Sequence, residues 1–211
     1  WSRLGLAERM AREREILASL NHVHIARLYD AGLGPDGQPY LALEYVDGRP
    51  IDEYAREGRL DLRARLGLFL QVAEAVAHAH ARLVVHRDRN ILVTADGQVR
   101  LLDFGIAKLL EQGRAEETEL TRASGRALTP GYASPEQIEG SPISVASDVY
   151  SLGVVLYELL ADVRPSQPER DSPAALEEAV LRADPSRPSD VSKDRHFAKA
   201  LRGDLDTIVL K

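Results

Sequence analysis

Between His86 and Gly105 the chain leaves itself few ways to fold. It reads His86-Arg87-Asp88-Arg89-Asn90-Ile91-Leu92-Val93-Thr94-Ala95-Asp96-Gly97-Gln98-Val99-Arg100-Leu101-Leu102-Asp103-Phe104-Gly105. Two apolar runs, Ile91 to Val93 and Val99 to Leu102, flank Asp96-Gly97, a dipeptide that tolerates the positive φ of a two-residue hairpin turn. The pattern predicts a β-hairpin with a polar cluster at each outer end. Antiparallel pairing would then bring Asp88 and Asn90, which precede the hairpin, close to Asp103, which follows it. Carboxylate and amide oxygens converging on one spot suit a hard cation such as Mg²⁺, completed by phosphate oxygens.

Several function classes fall away on composition. With 211 residues, 44% apolar and 28% charged, the chain has the make-up of an ordinary globular protein with a real core. A net charge of −6 argues against nucleic acid as the main partner, because a phosphate backbone needs clustered Lys and Arg. No cysteine is present, which excludes disulfides, Cys-ligated zinc and thiol catalysis, and fits a reducing cytoplasm. The longest apolar stretch, Val149 to Ala161, is too short to span a bilayer, and the N-terminal residues lack a signal peptide's basic start and apolar middle.

The surrounding chain reads as alternating helices and short strands. Residues 6 to 20 are rich in helix formers with interleaved charges and predict a helix. Ile25 to Ala31 and Tyr40 to Val46 predict two strands joined by a Gly- and Pro-containing loop. Apolar residues at Leu62, Leu66, Phe69, Ala73, Val76 and Ala77 predict a helix over 62 to 81. His78 and His80 on it point to different faces, so they read as packing or surface residues rather than a metal pair. Glu111 to Leu128 is polar and reads as a mobile loop. A buried helix is expected from Val149 to Leu160, capped by Ser147 and Asp148. Beyond it, Arg164 to Pro168 and Asp184 to Ser192 read as connectors, with a short helix from Ser172-Pro173 and another from Gly203.

At its motifs the sequence resembles the protein kinase superfamily. His86-Arg87-Asp88 followed by Asn90-Ile91-Leu92 is similar to the catalytic loop, Asp103-Phe104-Gly105 to the magnesium-binding triplet, and Ser134-Pro135-Glu136 to the Ala-Pro-Glu signature. Three such triplets in this order are far more specific than any one alone. The resemblance is nearest to bacterial serine/threonine kinases of the eukaryotic type. It implies an α+β, two-lobed fold, with residues 1–46 as part of the N-lobe and 47–211 as a mostly helical C-lobe. It also implies ATP and Mg²⁺ as cofactors and a protein Ser or Thr hydroxyl as phosphoryl acceptor.

Residue roles follow from the same resemblance. Asp88 accepts the hydroxyl proton, Asn90 and Asp103 hold Mg²⁺, and Thr129 orients Asp88. Arg87 pairs with a phosphorylated hydroxyl, for which Thr118, Thr121 and Ser124 are candidates. Glu13 is the helix glutamate that pairs with an ATP-positioning lysine. Leu43-Glu44-Tyr45-Val46-Asp47-Gly48 resembles the hinge, which places Glu44, Val46 and Leu92 around the adenine; read without the resemblance, it is a strand ending in an Asp-Gly turn. Asp148 braces the His86-Arg87 turn, and Glu136 calls for a downstream Arg that would lie beyond Lys211, leaving a stranded carboxylate.

Two departures qualify the resemblance. The family pattern has four residues between the Asp and the Asn, whereas only Arg89 separates Asp88 from Asn90, and the lysine normally two places after the Asp is missing. Twelve residues precede Glu13 and no G-x-G-x-x-G occurs, so the lysine strand and the glycine-rich lid lie outside this stretch or were lost. Two rival readings stay open: a degenerate kinase fold acting as a protein-binding module, and a metal-dependent phosphohydrolase using Asp88 and Asp103.

Overall fold

A computed structural model of the chain describes residues 19–35, 39–82, 84, 90–102, 130–166, 172–182, 184–192 and 195–211. The first strands are β1, Leu28–Leu33, and β2, Pro39–Leu43, paired antiparallel with Leu28 opposite Leu43 and Leu33 opposite Pro39. Both lie slightly off the ranges expected from sequence. The register slips between Leu28 and Asp30, and the intervening Tyr29 faces solvent. Ile25 makes only a single parallel bridge, to Leu101.

A second sheet holds the hairpin. β3, Gly48–Pro50, pairs antiparallel with β4, Ile91–Thr94, which pairs with β5, Val99–Leu101. Gly97 has φ of +79° at the hairpin turn, the left-handed conformation that the Asp-Gly pair was expected to supply. Thr94 Oγ1 donates to Asp96 Oδ1 at 2.5 Å, fixing the turn from the side. β3 was not foreseen, because three residues of Gly, Arg and Pro carry no strand pattern. Gly48 allows the pairing: a Cβ there would sit 3.0 Å from the Val93 carbonyl and 3.2 Å from the Leu92 Cβ.

Helices supply the rest of the core. α1, Ile51–Glu57, leads to α2, Leu62–His80, whose N-cap Asp61 accepts from Ala64 N at 2.8 Å. α2 ends within a residue of expectation, but its deepest face is Leu68, Val72, Ala75, Val76 and Ala79 rather than the stripe anticipated. The reason is two-sided burial. That face joins the main core with Ile51, Val93, Val99, Leu101, Val155 and Leu159, whereas Leu62, Leu66 and Phe69 pack against a second cluster of Leu156, Leu160 and Leu201. Ala77, included in the expected stripe, is exposed.

α3, Pro135–Glu139, precedes the central helix α4, Val145–Ala161. α4 begins four residues earlier than the sequence suggested, and its N-cap is Ser144, whose Oγ accepts from Ala146 N at 3.2 Å. Ser147 and Asp148 therefore lie inside its first turns and are almost wholly buried, which corrects their assignment as caps. α5, Pro173–Leu181, starts at the N-cap Ser172 as expected. α6, Pro188–Val191, interrupts what was read as a connector; buried Asp206 accepts from Ser189 N at 3.0 Å and from its Oγ at 2.7 Å, holding the short helix in place. α7, Arg195–Leu201, and α8, Asp204–Val209, complete the described chain. Among the described residues no helix is long and apolar enough to cross a membrane.

Candidate active site

The hairpin delivers the two ends that the sequence said should meet. Leu102 N donates to Asn90 O at 2.7 Å, so the backbone just before β4 is joined to the residue immediately preceding Asp103. Helix α2 holds the hairpin from behind, with Gln71 Oε1 accepting from Val99 N at 2.9 Å and Gln71 Nε2 donating to Gly97 O at 3.4 Å. Ile91 and Val93 point into the core, while Leu92 and Thr94 lie half-buried on the opposite face. Asn90 itself is exposed at the hairpin's mouth. Asn90 carries an amide oxygen, a ligand of the kind a hard cation takes.

A second component approaches Leu92 from the side. Between β2 and β3 the chain runs through Glu44, Tyr45, Val46 and Asp47, and the close contact of Gly48 with Leu92 brings this segment against β4. Glu44 is a brace: its N donates to Arg27 O at 2.8 Å, its Oε2 accepts from Arg27 N at 3.1 Å, and its Oε1 lies 3.8 Å from Arg100 Nε. Val46 is half-buried, whereas the Tyr45 side chain is 88% exposed. Among the described residues no hydrogen bond engages the backbone of Tyr45, Val46 or Asp47, so those groups can meet the edge of a planar heterocycle. Glu44, Val46, Leu92 and Asn90 are thus placed by the structure. Glu13, Arg87, Asp88, Asp103 and Thr129 lie outside the described residues, as do residues 6 to 18 of the helix expected over 6 to 20 and the whole polar loop with its candidate hydroxyls; Ser19 and Leu20, the expected end of that helix, are not helical. Among the described residues no three acidic or histidine side chains are arranged to hold a metal ion.

Helices α2 and α4 carry the site's base. His80 Nε2 lies 2.7 Å from Asp148 Oδ2, and Asp148 is 2% exposed. The turn that Asp148 was expected to brace lies outside the described residues. Glu136 is not the stranded carboxylate that sequence implied, since its Oε1 accepts from Ser147 Oγ at 2.5 Å and the residue is only partly buried. That bond holds the Glu136 carboxyl below its usual value of 4.5. Because the folded value is the lower one, the stabilisation is present above pH 4.5 and is lost as pH falls through the folded value. Ser147→Ala is therefore expected to cost about 1 kcal/mol near neutrality, discounted for the partial exposure of Glu136, and much less at about pH 3. Urea unfolding at the two pH values checks it.

Sequence reasoning missed a clamp beside this region. Tyr132 is 3% exposed, its hydroxyl donates to Glu158, and the Arg164 guanidinium lies 5.0 Å over its ring. Arg164 Nε is 3.5 Å from Glu158 Oε1, and Ser151 Oγ donates to Tyr132 O at 2.9 Å. A Cβ on Gly131 would come within 2.8 Å of Arg164 Nη1, so glycine is what lets the arginine lie over the Pro130–Tyr132 turn. The side-chain partners lie 19 or more residues from Tyr132 along the chain, and no local pattern announces them.

Comparison with known proteins agrees with this architecture. A model of the protein kinase domain matches residues 3–200. The chain is 37% identical over 207 residues to the probable serine/threonine-protein kinase SCO3848 of Streptomyces coelicolor, covering 96% of this chain and 30% of that protein. It is 36% identical to the serine/threonine-protein kinase PknB of Mycobacterium tuberculosis, with 96% and 32% covered. Against the serine/threonine-protein kinase PksC of Streptomyces coelicolor the identity is 34%, with 92% and 37% covered. The chain therefore belongs to the protein kinase family, and its homologues include bacterial serine/threonine kinases. It spans about a third of the length of these relatives.

Proposed function

We propose that this chain is the phosphoryl-transfer domain of a cytoplasmic serine/threonine protein kinase, using ATP with Mg²⁺ and a protein acceptor rather than nucleic acid. Residues 1–46 are the ATP-side lobe and 47–211 the acceptor-side lobe. The acceptor hydroxyl oxygen bonds to the γ-phosphorus, the bond from phosphorus to the β–γ bridging oxygen breaks, ADP leaves, and the hydroxyl proton passes to Asp88. Thr129 orients Asp88, and backbone groups from Glu44 to Val46, with Leu92, take the adenine. Asn90 and Asp103 would hold Mg²⁺, which when bound neutralises charge on the phosphates. Glu13 fixes an ATP-positioning lysine, and Arg87 takes up a phosphorylated loop hydroxyl. The observation that supports this reading most is the Leu102 N to Asn90 O bond, which brings one metal candidate to the threshold of the other.

The short Asp88-Arg89-Asn90 spacing favours a second reading, a kinase fold that binds proteins without catalysing transfer. A thermal melt separates the two. A ligand at a hundred times its dissociation constant adds about 2.7 kcal/mol of stability, so the kinase reading expects a rise with Mg-ATP that ATP alone does not give. Asp103→Ala should abolish the magnesium-dependent part. Identical melts with and without Mg-ATP, in a protein that carries the upstream lid and lysine, would favour the binding module.

A further inference from the structure

Three imidazoles meet where the turn at residues 21–25 packs on α2. The ring of His22 lies 4.8 Å from that of His78 and 5.5 Å from that of His24, centre to centre. Two of the three have their Nδ1 committed. His24, 7% exposed, has Nδ1 at 3.2 Å from Val99 O, a geometry that requires a proton on that nitrogen. His22 Nδ1 accepts from His24 N at 3.2 Å and so must be bare. His78 Nε2 is buried and has no hydrogen-bond partner among the described residues.

This arrangement tolerates neutral rings and little else. A proton on His22 Nδ1 would set an N–H against the His24 N–H and break that bond. A proton on His78 Nε2 would bury an unpartnered donor and a charge 4.8 Å from the next ring. The charged and titratable groups acting on His22 are His24 on its own turn, Glu74 and His78 on α2, and Arg82 just past the end of α2; only Glu74 favours the proton. Burial first, and then His78, His24 and Arg82, hold His22 below the usual histidine value of 6.5, and burial with Arg82 does the same to His78.

The turn is also stitched to the hairpin. His24 O accepts from Leu101 N at 2.8 Å and Ala26 N donates to Leu101 O at 2.8 Å, one residue before Leu102. We propose that His22, His24 and His78 form an acid-sensitive clasp, in which proton uptake by His22 or His78 releases the 21–25 turn from α2 and slackens the strand end that leads to Asp103. The sign follows from the favoured neutral form. The clasp contributes stability above pH 6.5 and loses it as pH falls below that value toward the folded midpoints.

Two measurements on the intact protein test it. Exchange of the histidine C2 hydrogens, followed by mass spectrometry as a function of pH, reads each ring's midpoint. Those of His22 and His78 are expected below 6.5, and midpoints at or above that value overturn the proposal. Thermal melts at about pH 7.5 and about pH 5.5 then compare the wild type with His22→Asn/His78→Phe, which keeps an acceptor for His24 N and an aromatic ring beside it but cannot be protonated. The double variant should lose less than half as much melting temperature in acid as the wild type, and an equal loss overturns the clasp. The His80–Asp148 pair is the same in both proteins and cancels in the comparison. If the double variant does not fold, the wild-type midpoints decide alone. The consequence for Asp103 rests on the proposed function, whereas neither readout needs phosphoryl transfer, so failure of the kinase reading and failure of the clasp are distinguishable.

Discussion

Three residues added between Asp88 and Asn90, with a lysine placed directly after Arg89, are expected to raise phosphoryl transfer to a protein acceptor by about a hundredfold or more. The assay uses the intact protein and labelled ATP, and compares the natural loop with the lengthened one. The physical case begins at Asn90, whose carbonyl is tied to Leu102 N at 2.7 Å and whose successor Ile91 is already in β4. Asn90 therefore cannot move far toward Asp88. Two residues span at most about 7 Å, so Asp88 must stay within that distance of Asn90, the proposed metal ligand, while also reaching the acceptor hydroxyl. Four intervening residues, as in the family pattern, free Asp88 from that tether. The lysine adds a donor to the transferred phosphate, and one donor aimed at developing charge is worth roughly 10²–10³ in rate. Arg89 is no equivalent, since its planar fork sits one position early. Asp88→Asn in the lengthened protein should remove the gain. Equal rates from both loops would mean that the short spacing already supports the chemistry.

Local signals carried much of the fold. Asp96-Gly97 between two apolar runs fixes a hairpin because few residues accept φ near +79°, and the register of Ile91 with Leu101 follows from that turn. Ser172 was equally readable as a helix start, since its side chain accepts from the N3 amide of Ala175. What sequence could not supply was the choice among competing caps. Ser144 and Ser147 both suit a helix start, and the earlier one wins because burial of Ser147 and Asp148 against Glu136 and His80 needs an additional turn of helix beneath them. β3 escaped because its pairing depends on how closely Gly48 can approach β4, a property of two segments some forty residues apart.

The candidate site was legible in the same uneven way. Asn90 and the residues leading to Asp103 were expected to converge, and the Leu102 to Asn90 bond is that convergence as far as the described chain extends. Glu44 was read as a hinge residue near a ligand, and its carboxylate turns out to be spent on Arg27 N and Arg100. The Tyr132–Glu158–Arg164 clamp and the three-histidine cluster were invisible for one reason. Each joins segments far apart in sequence through side chains whose types are unremarkable where they stand, so no window of residues contains the pattern.

Arg65→Met is expected to lower stability by about 3 kcal/mol, a fall of roughly 6–12 °C in melting temperature for a domain of this size. In the sequence Arg65 is one more charge in a helix whose neighbours Arg63 and Leu66 give no hint of its fate. In the fold it is 6% exposed. Its Nε donates to Leu60 O at 2.9 Å, and its Nη1 to Leu159 O at 2.6 Å and Asp162 Oδ1 at 2.6 Å. The guanidinium also lies 5.4 Å over the Phe197 ring, joining α2 to the second apolar cluster. Methionine fills a similar volume but leaves two carbonyls without their donor where water has little access, at about 1–3 kcal/mol each for a buried acceptor. The ion pair contributes less, since the Asp162 side chain is 47% exposed and can be resolvated. Asp162→Asn should therefore cost under about 1 kcal/mol, the more so because Asp162 sits at φ of +56°, a conformation asparagine accepts. Denaturant unfolding of both variants checks the ordering. Equal losses would move the weight from the carbonyls to the ion pair, and an Arg65→Met protein within about 0.5 kcal/mol of the wild type would show that neither matters.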